Sequence, residues 1–196
     1  MTDYFALLGQ PRKPWLDPDE LKQAFHAKSL SAHPDTQPND PASAGGDEAA
    51  FTQLNEAYQV LQDPKRRIHH LLSLAGRTSS DRQTSVPAEI EQLFSAVAAV
   101  TQQADELAHK CEAATTPLSR SLLKPQVLQL QNAIGGRIQQ LSELHDVGIV
   151  ELQRLSANDV LEENDWTKLQ ALYLRFSYLT RWIAELQEKL SRIATA

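Results

Sequence analysis

Six histidines, one cysteine and scattered carboxylates are the side chains of this 196-residue chain that could move protons, bind metal or attack a substrate. Cys111 is the single thiol. Alone it can form neither an intrachain disulfide nor a thiolate cage for zinc or an iron–sulfur cluster. It also falls in an apolar helical seam, the setting of inert core thiols. His69, His70 and His26 raise the idea of a metal site. Consecutive histidines on one helix point to different faces, however, and no Cys, Asp or Glu partner sits at ligand spacing. Gly45 and Gly46 have no preceding strand and no following Lys-Ser or Lys-Thr pair, which excludes a phosphate loop. No pair of catalytic carboxylates stands apart from ordinary helix-surface acids. The expectation is a protein with no catalytic residues, metal or cofactor.

His33-Pro34-Asp35 offers a different chemistry, that of recognition. Proline disfavours helical geometry at the residue before it and stiffens the turn. His33 and Asp35 are then held outward at the start of a loop. An exposed carboxylate in that position can accept a bidentate hydrogen bond from a partner's arginine, a strong charged contact between proteins.

The elements that must position this tripeptide are helices. Asp3-Tyr4-Phe5-Ala6-Leu7-Leu8-Gly9 reads as a short apolar helix stopped by glycine. Asp17-Pro18-Asp19-Glu20 opens a second, with Asp17 as cap and Pro18 at the first helical position. Leu21, Phe25, Lys28 and Ala32 follow at helical spacing until Pro34 ends it. Residues 36–47, rich in Pro and Gly, read as a loop. Helical period resumes at Phe51, Leu54, Tyr58 and Leu61. Asp63-Pro64 starts a short helix ending near Gly76. Arg77 to Ser85 contains no aliphatic residue and reads as a domain boundary.

Beyond that boundary three long seams appear. One runs from Ile90 to Cys111, one from Val127 toward Leu155, and one from Trp166 to Ile193. They predict an antiparallel three-helix bundle. Gly135-Gly136, inside the second seam, predicts a kink or the close approach of another backbone. The fold class expected is all-α: residues 1–76 as a helical hairpin with two short flanking helices, 77–86 as linker, and 87–196 as the bundle. The formal net charge of -6 argues against a general nucleic-acid binder. The start carries no basic, apolar leader, and no window nears the roughly 20 apolar residues of a membrane span, so a cytoplasmic protein is expected.

The order of elements around His33-Pro34-Asp35 resembles a J-domain, the module with which co-chaperones stimulate the ATPase of seventy-kilodalton heat-shock chaperones. Asn55-Glu56-Ala57-Tyr58 with Leu61 looks like that family's third helix, and Asp63-Pro64 with Arg67 like the start of its fourth. The opening run 3–9, Leu71-Leu72-Ser73-Leu74-Ala75-Gly76, and the stretch from Trp166 to Leu190 are similar to the iron–sulfur-cluster co-chaperones (HscB and its mitochondrial Jac-type relatives). That resemblance implies a DnaK- or HscA-class chaperone as partner, met by His33, Pro34 and Asp35, with Lys22, His26 and Lys28 as an electrostatic docking face. It also implies an IscU-like scaffold as client, with Ile90, Leu93 and Tyr178 as first candidates for contacting it.

Three departures bear on this. Basic residues on the second helix are few, and Thr36 follows the motif where a Lys or Arg is common, which predicts slower or more selective chaperone association. Phe94, Val97 and Thr101 stand where the family's client face would be acidic. Lys28 occupies a usually apolar position, where its stem can snorkel. The alternatives are a J-protein with an unrelated client and an adaptor whose bundle serves homodimerisation.

Overall fold

The computed structural model describes residues 2–31, 44–77, 88–158 and 160–195, all helical or connecting segments. Seven helices follow in order: α1 Tyr4–Leu8, α2 Pro18–Ser31, α3 Ala44–Gln62, α4 Pro64–Leu74, α5 Ala88–Ala113, α6 Pro117–Ser156 and α7 Glu163–Thr195. The all-α expectation holds.

Local chemistry explains the starts and stops. Asp3 caps α1, accepting from Phe5 N at 3.0 Å and Ala6 N at 3.3 Å. Gly9 closes that helix at φ 66°, a left-handed conformation that glycine adopts without strain. The Asp17 carboxylate accepts from Asp19 N and Glu20 N, and Asp63 from Arg66 N at 2.8 Å. One boundary differs from the sequence reading. α3 begins at Ala44, so Gly45, Gly46 and Asp47 are helical rather than loop. A glycine costs a helix only about 1 kcal/mol relative to alanine, which the apolar face from Leu54 to Leu61 outweighs.

The chain forms two compact units. The first is Met1–Gln83 with Ile149–Tyr173, and the second is Thr84–Gly148 with Leu174–Ala196. The expected division at residues 77–86 therefore acquires an addition, since the end of α6 and the start of α7 cluster with the N-terminal helices. The contacts are specific. Arg77 bonds Glu163 at 2.7 Å and lies 5.1 Å from the Trp166 ring centroid. Gln170 donates to Arg77 O, and Trp15 N donates to the Ser156 hydroxyl at 2.7 Å.

In the first unit Phe5, Leu8, Leu21, Leu54, Leu61 and Ile68 are buried, and Phe25 stacks on Tyr58 at 4.6 Å. Arg67 lies among them, 4% exposed. Its Nε donates to Pro14 O at 2.7 Å and its Nη1 to Leu61 O at 2.5 Å. Leu61 O is one of the carbonyls that the end of α3 leaves without a helical partner. Burial lowers the guanidinium pKa to about 10, with Asp63 opposing the shift, and the group stays charged at neutral pH.

In the second unit Ile90, Val97, Leu107, Ile134, Leu141, Leu179 and Leu186 share one core. The ion pairs Glu89–Arg175, Asp105–Lys189 and Glu112–Arg192 advance together along α5 and α7, so these helices run parallel, with α6 returning between them. α6 passes unbroken through Pro125 and through Gly135-Gly136. A Cβ at either glycine meets nothing within 4 Å, so neither answers to a close backbone approach. The close approach is at Gly148, where a Cβ would lie 2.8 Å from the Phe176 ring. That ring is fully buried and held edge-on against His145 at 4.9 Å.

Gly148→Ala should therefore lower unfolding stability by about 1–3 kcal/mol through overpacking, whereas Gly136→Ala should raise it by about 0.5–1 kcal/mol; urea titrations distinguish the two signs. Arg67→Met, which leaves the Pro14 and Leu61 carbonyls unmet, should cost about 1–3 kcal/mol by the same measurement.

Candidate functional site

Lys22 and His26 lie one helical turn apart on α2, and both side chains are exposed. His26 sits at 5.6 Å from Phe25, whose stacking on Tyr58 ties α2 to α3. The two therefore share a solvent face fixed from behind by an aromatic pair. Lys28 behaves differently. Its side chain is half-buried and its Nζ donates to Leu7 O at 2.5 Å. That carbonyl belongs to the last turn of α1, where a cation also meets the negative end of the helix dipole. A Cβ on Gly9 would lie 3.7 Å from Lys28 Cε. Lys28 thus braces α1 against α2, with only part of its side chain left on the α2 face. His33, Pro34 and Asp35 lie outside the described residues, as does Thr36.

α1 is braced from its other end as well. Tyr4 N donates to His70 Nε2 at 3.1 Å, and the His70 ring stacks on Tyr4 at 4.6 Å and Phe5 at 5.6 Å. The imidazole must be unprotonated at Nε2 to accept this bond. Burial pushes its pKa below the usual 6.5, with Asp3 opposing. Asp3 itself is held below its ordinary value: burial works against its charge, and the Arg12 guanidinium at 2.6 Å with the α1 amides outweighs it. The sequence marks His69-His70 only as a rejected metal site. The spacing within α4 carries no sign that His70 meets an amide 66 residues earlier.

On the second unit, Ile90 and Leu93 are 0% and 8% exposed and belong to the bundle core. They are corrected from client contacts to core, because the apolar spacing that suggests a binding face is the seam of α5 itself. Tyr178 is partly buried against the same core. It packs with Trp182 at 5.5 Å and with Phe94 at 5.1 Å, and the Arg181 guanidinium lies 5.9 Å from its ring. Phe94 remains 38% exposed. Of the positions where acids are expected, Val97 is therefore core and Phe94 part of an aromatic cluster. The i, i+4 spacing of Tyr178 and Trp182 is visible in the sequence, but their meeting with Phe94 across helices is not.

The histidine brace sets a pH dependence. A histidine whose folded pKa is depressed contributes stability that is complete above its unfolded value of 6.5. That contribution is lost as pH falls through the folded value, because the unfolded chain binds the proton more readily. Unfolding followed from pH 7.5 downward should show this loss, and His70→Gln, which keeps an acceptor without the titration, should reduce it.

Comparison with known proteins agrees with this geometry. Residues 3–70 match the DnaJ domain family model, a span that includes the His33-Pro34-Asp35 motif. Mouse DnaJ homolog subfamily C member 4 is 36% identical over 96 residues, 48% of this chain and 37% of its own length. The match thus spans little more than a third of that relative. Chaperone HscB from Vibrio cholerae superposes with a TM-score of 0.63 at 19% identity, covering 95% of this chain and 96% of its own. The human co-chaperone protein HscB superposes with a TM-score of 0.50 at 16% identity, covering 97% and 81%. No helix among the described residues is long and apolar enough to cross a membrane. Residues 3–70 of this chain thus resemble a DnaJ domain, and the chain over nearly its full length shares the fold of Chaperone HscB from Vibrio cholerae.

Proposed function

We propose that this protein is a J-domain co-chaperone that stimulates ATP hydrolysis by a DnaK- or HscA-class chaperone and brings it a client. The observation that carries the reading is the DnaJ match over residues 3–70 set on a helical framework that extends through the HscB fold. Asp35 and His33 engage the chaperone, Pro34 holds the loop, and Lys22 with His26 supplies the electrostatic face. With Lys28 committed to Leu7 O, only two titratable cations remain on that face of α2. Steering is correspondingly weak, which slows association more than it weakens the docked complex. The protein performs no bond chemistry of its own and works in the cytoplasm without a cofactor, nucleic acid or membrane.

The client is proposed to be an iron–sulfur-cluster assembly scaffold of the IscU-like kind. Support comes from the shared fold and from Tyr178, the one client candidate not absorbed into the core. The burial of Ile90 and Leu93 favours a second reading, a J-protein with a different client.

In an ATPase assay with the full chain and its chaperone, His33→Gln and Asp35→Asn should each reduce stimulation at least tenfold without changing thermal stability. Undiminished stimulation by both would overturn the co-chaperone reading. With a candidate scaffold, Tyr178→Ala should weaken binding, whereas Leu93→Ala should lower bundle stability by about 2–5 kcal/mol. Scaffold binding unaffected by Tyr178→Ala would favour the other client.

A further inference from the structure

The start of α4 carries charge of the wrong sign for a helix N-terminus. Pro64-Lys65-Arg66-Arg67 places three cations in the first turn, where the dipole favours carboxylates, and no acid shares that turn. Asp63 offsets part of the cost as the cap. Arg67 has its own use in the core. Lys65 and Arg66 do not. Lys65 pairs with no carboxylate among the described residues, and Arg66 Nη1 makes a long bond, 3.4 Å to Gln59 O. Local rules broken without structural gain mark functional positions.

These two cations border an open cleft of about 370 Å³ within the first unit. Its walls are the rings of Tyr4 and Tyr173 and the side chain of Val60, with His69 on the rim at 5.5 Å from Tyr173. Burial, and then the neighbouring Glu56 carboxylate, raise the pKa of the Tyr4 hydroxyl above its usual value, so one acid also stands near the cleft. The cleft thus combines two cations with an aromatic and aliphatic wall, in a chain whose net charge is -6. An inorganic anion would use the cations and leave the wall bare. A peptide presenting carboxylates beside an apolar side chain would use both.

We propose that the cleft bounded by Tyr4, Val60, Lys65, Arg66, His69 and Tyr173 binds a short acidic segment of a partner protein. Lys65 and Arg66 take its carboxylates, and Val60 with the tyrosine rings takes a neighbouring apolar side chain. The site is distinct from the α2 face and does not depend on the chaperone reading.

The test is a titration of the full chain with an acetylated, amidated six-residue peptide of alternating aspartate and leucine, followed calorimetrically at low and moderate salt. Saturable binding that weakens with salt is expected. The pair Lys65→Glu, Arg66→Glu should weaken it at least tenfold, and Lys65→Gln, Arg66→Gln by less, with far-UV circular dichroism unchanged for both. Lys22→Glu on α2 should leave it within twofold of wild type. The proposal is overturned if no binding is detected at millimolar peptide, or if the double charge reversal binds as wild type does. It is equally overturned if Lys22→Glu weakens binding as much, if an asparagine-for-aspartate peptide binds equally well, or if equimolar inorganic phosphate displaces the peptide.

Discussion

The guanidinium of Arg67 joins three stretches of chain that no local rule brings together: α4, which carries it, the last turn of α3 at Leu61 O, and the connection into α2 at Pro14 O. Burying an uncompensated cation costs several kcal/mol, so the contact persists only because both carbonyls are met. Once it is made, α4 is fixed against α3, and the segment leading into α2 is fixed against both. The Phe25–Tyr58 stack then sets α2 on α3. His33, Pro34 and Asp35 fall between these two helices in the sequence. α1 is a satellite of the same assembly, gripped at one end by His70 and at the other by Lys28.

Contacts that are local in sequence are legible from the residues alone. The caps at Asp17 and Asp63 and the stop at Gly9 are decided by residues within three or four positions, and all three stand where the sequence places them. The helical seams of the bundle are legible for the same reason. Apolar spacing alone, however, does not distinguish a seam that faces its own core from one that faces a partner. Ile90 and Leu93 therefore match a client face by family resemblance and are core in the fold. Lys28 shows the converse, since only a fold can turn a lysine head toward a carbonyl 21 residues earlier. The glycines make the point most sharply. Gly135-Gly136 stands out in the sequence as a pair and borders open space, while Gly148 does not stand out and touches a buried ring.

The partition of the chain obeys the same limit. Composition marks a boundary at 77–85 because aliphatic residues vanish there. Composition carries no sign that Arg77 pairs with Glu163 and Trp166, or that Ile149–Tyr173 clusters with the N-terminal helices. α6 and α7 thus each contribute to two cores. Truncation after residue 76, the natural way to isolate a J-domain from sequence, would remove Ser156 from Trp15. The full chain is the appropriate object for functional work.

In the proposed function the α2 face leading to His33-Pro34-Asp35 meets a DnaK- or HscA-class chaperone. Backbone amide chemical-shift mapping of the full chain against ATP-loaded chaperone tests it most directly. Perturbations concentrated over residues 20–36, with α5 to α7 of the bundle unaffected, are the predicted result. Perturbations confined to the bundle, with residues 20–36 unchanged at saturation, would contradict it.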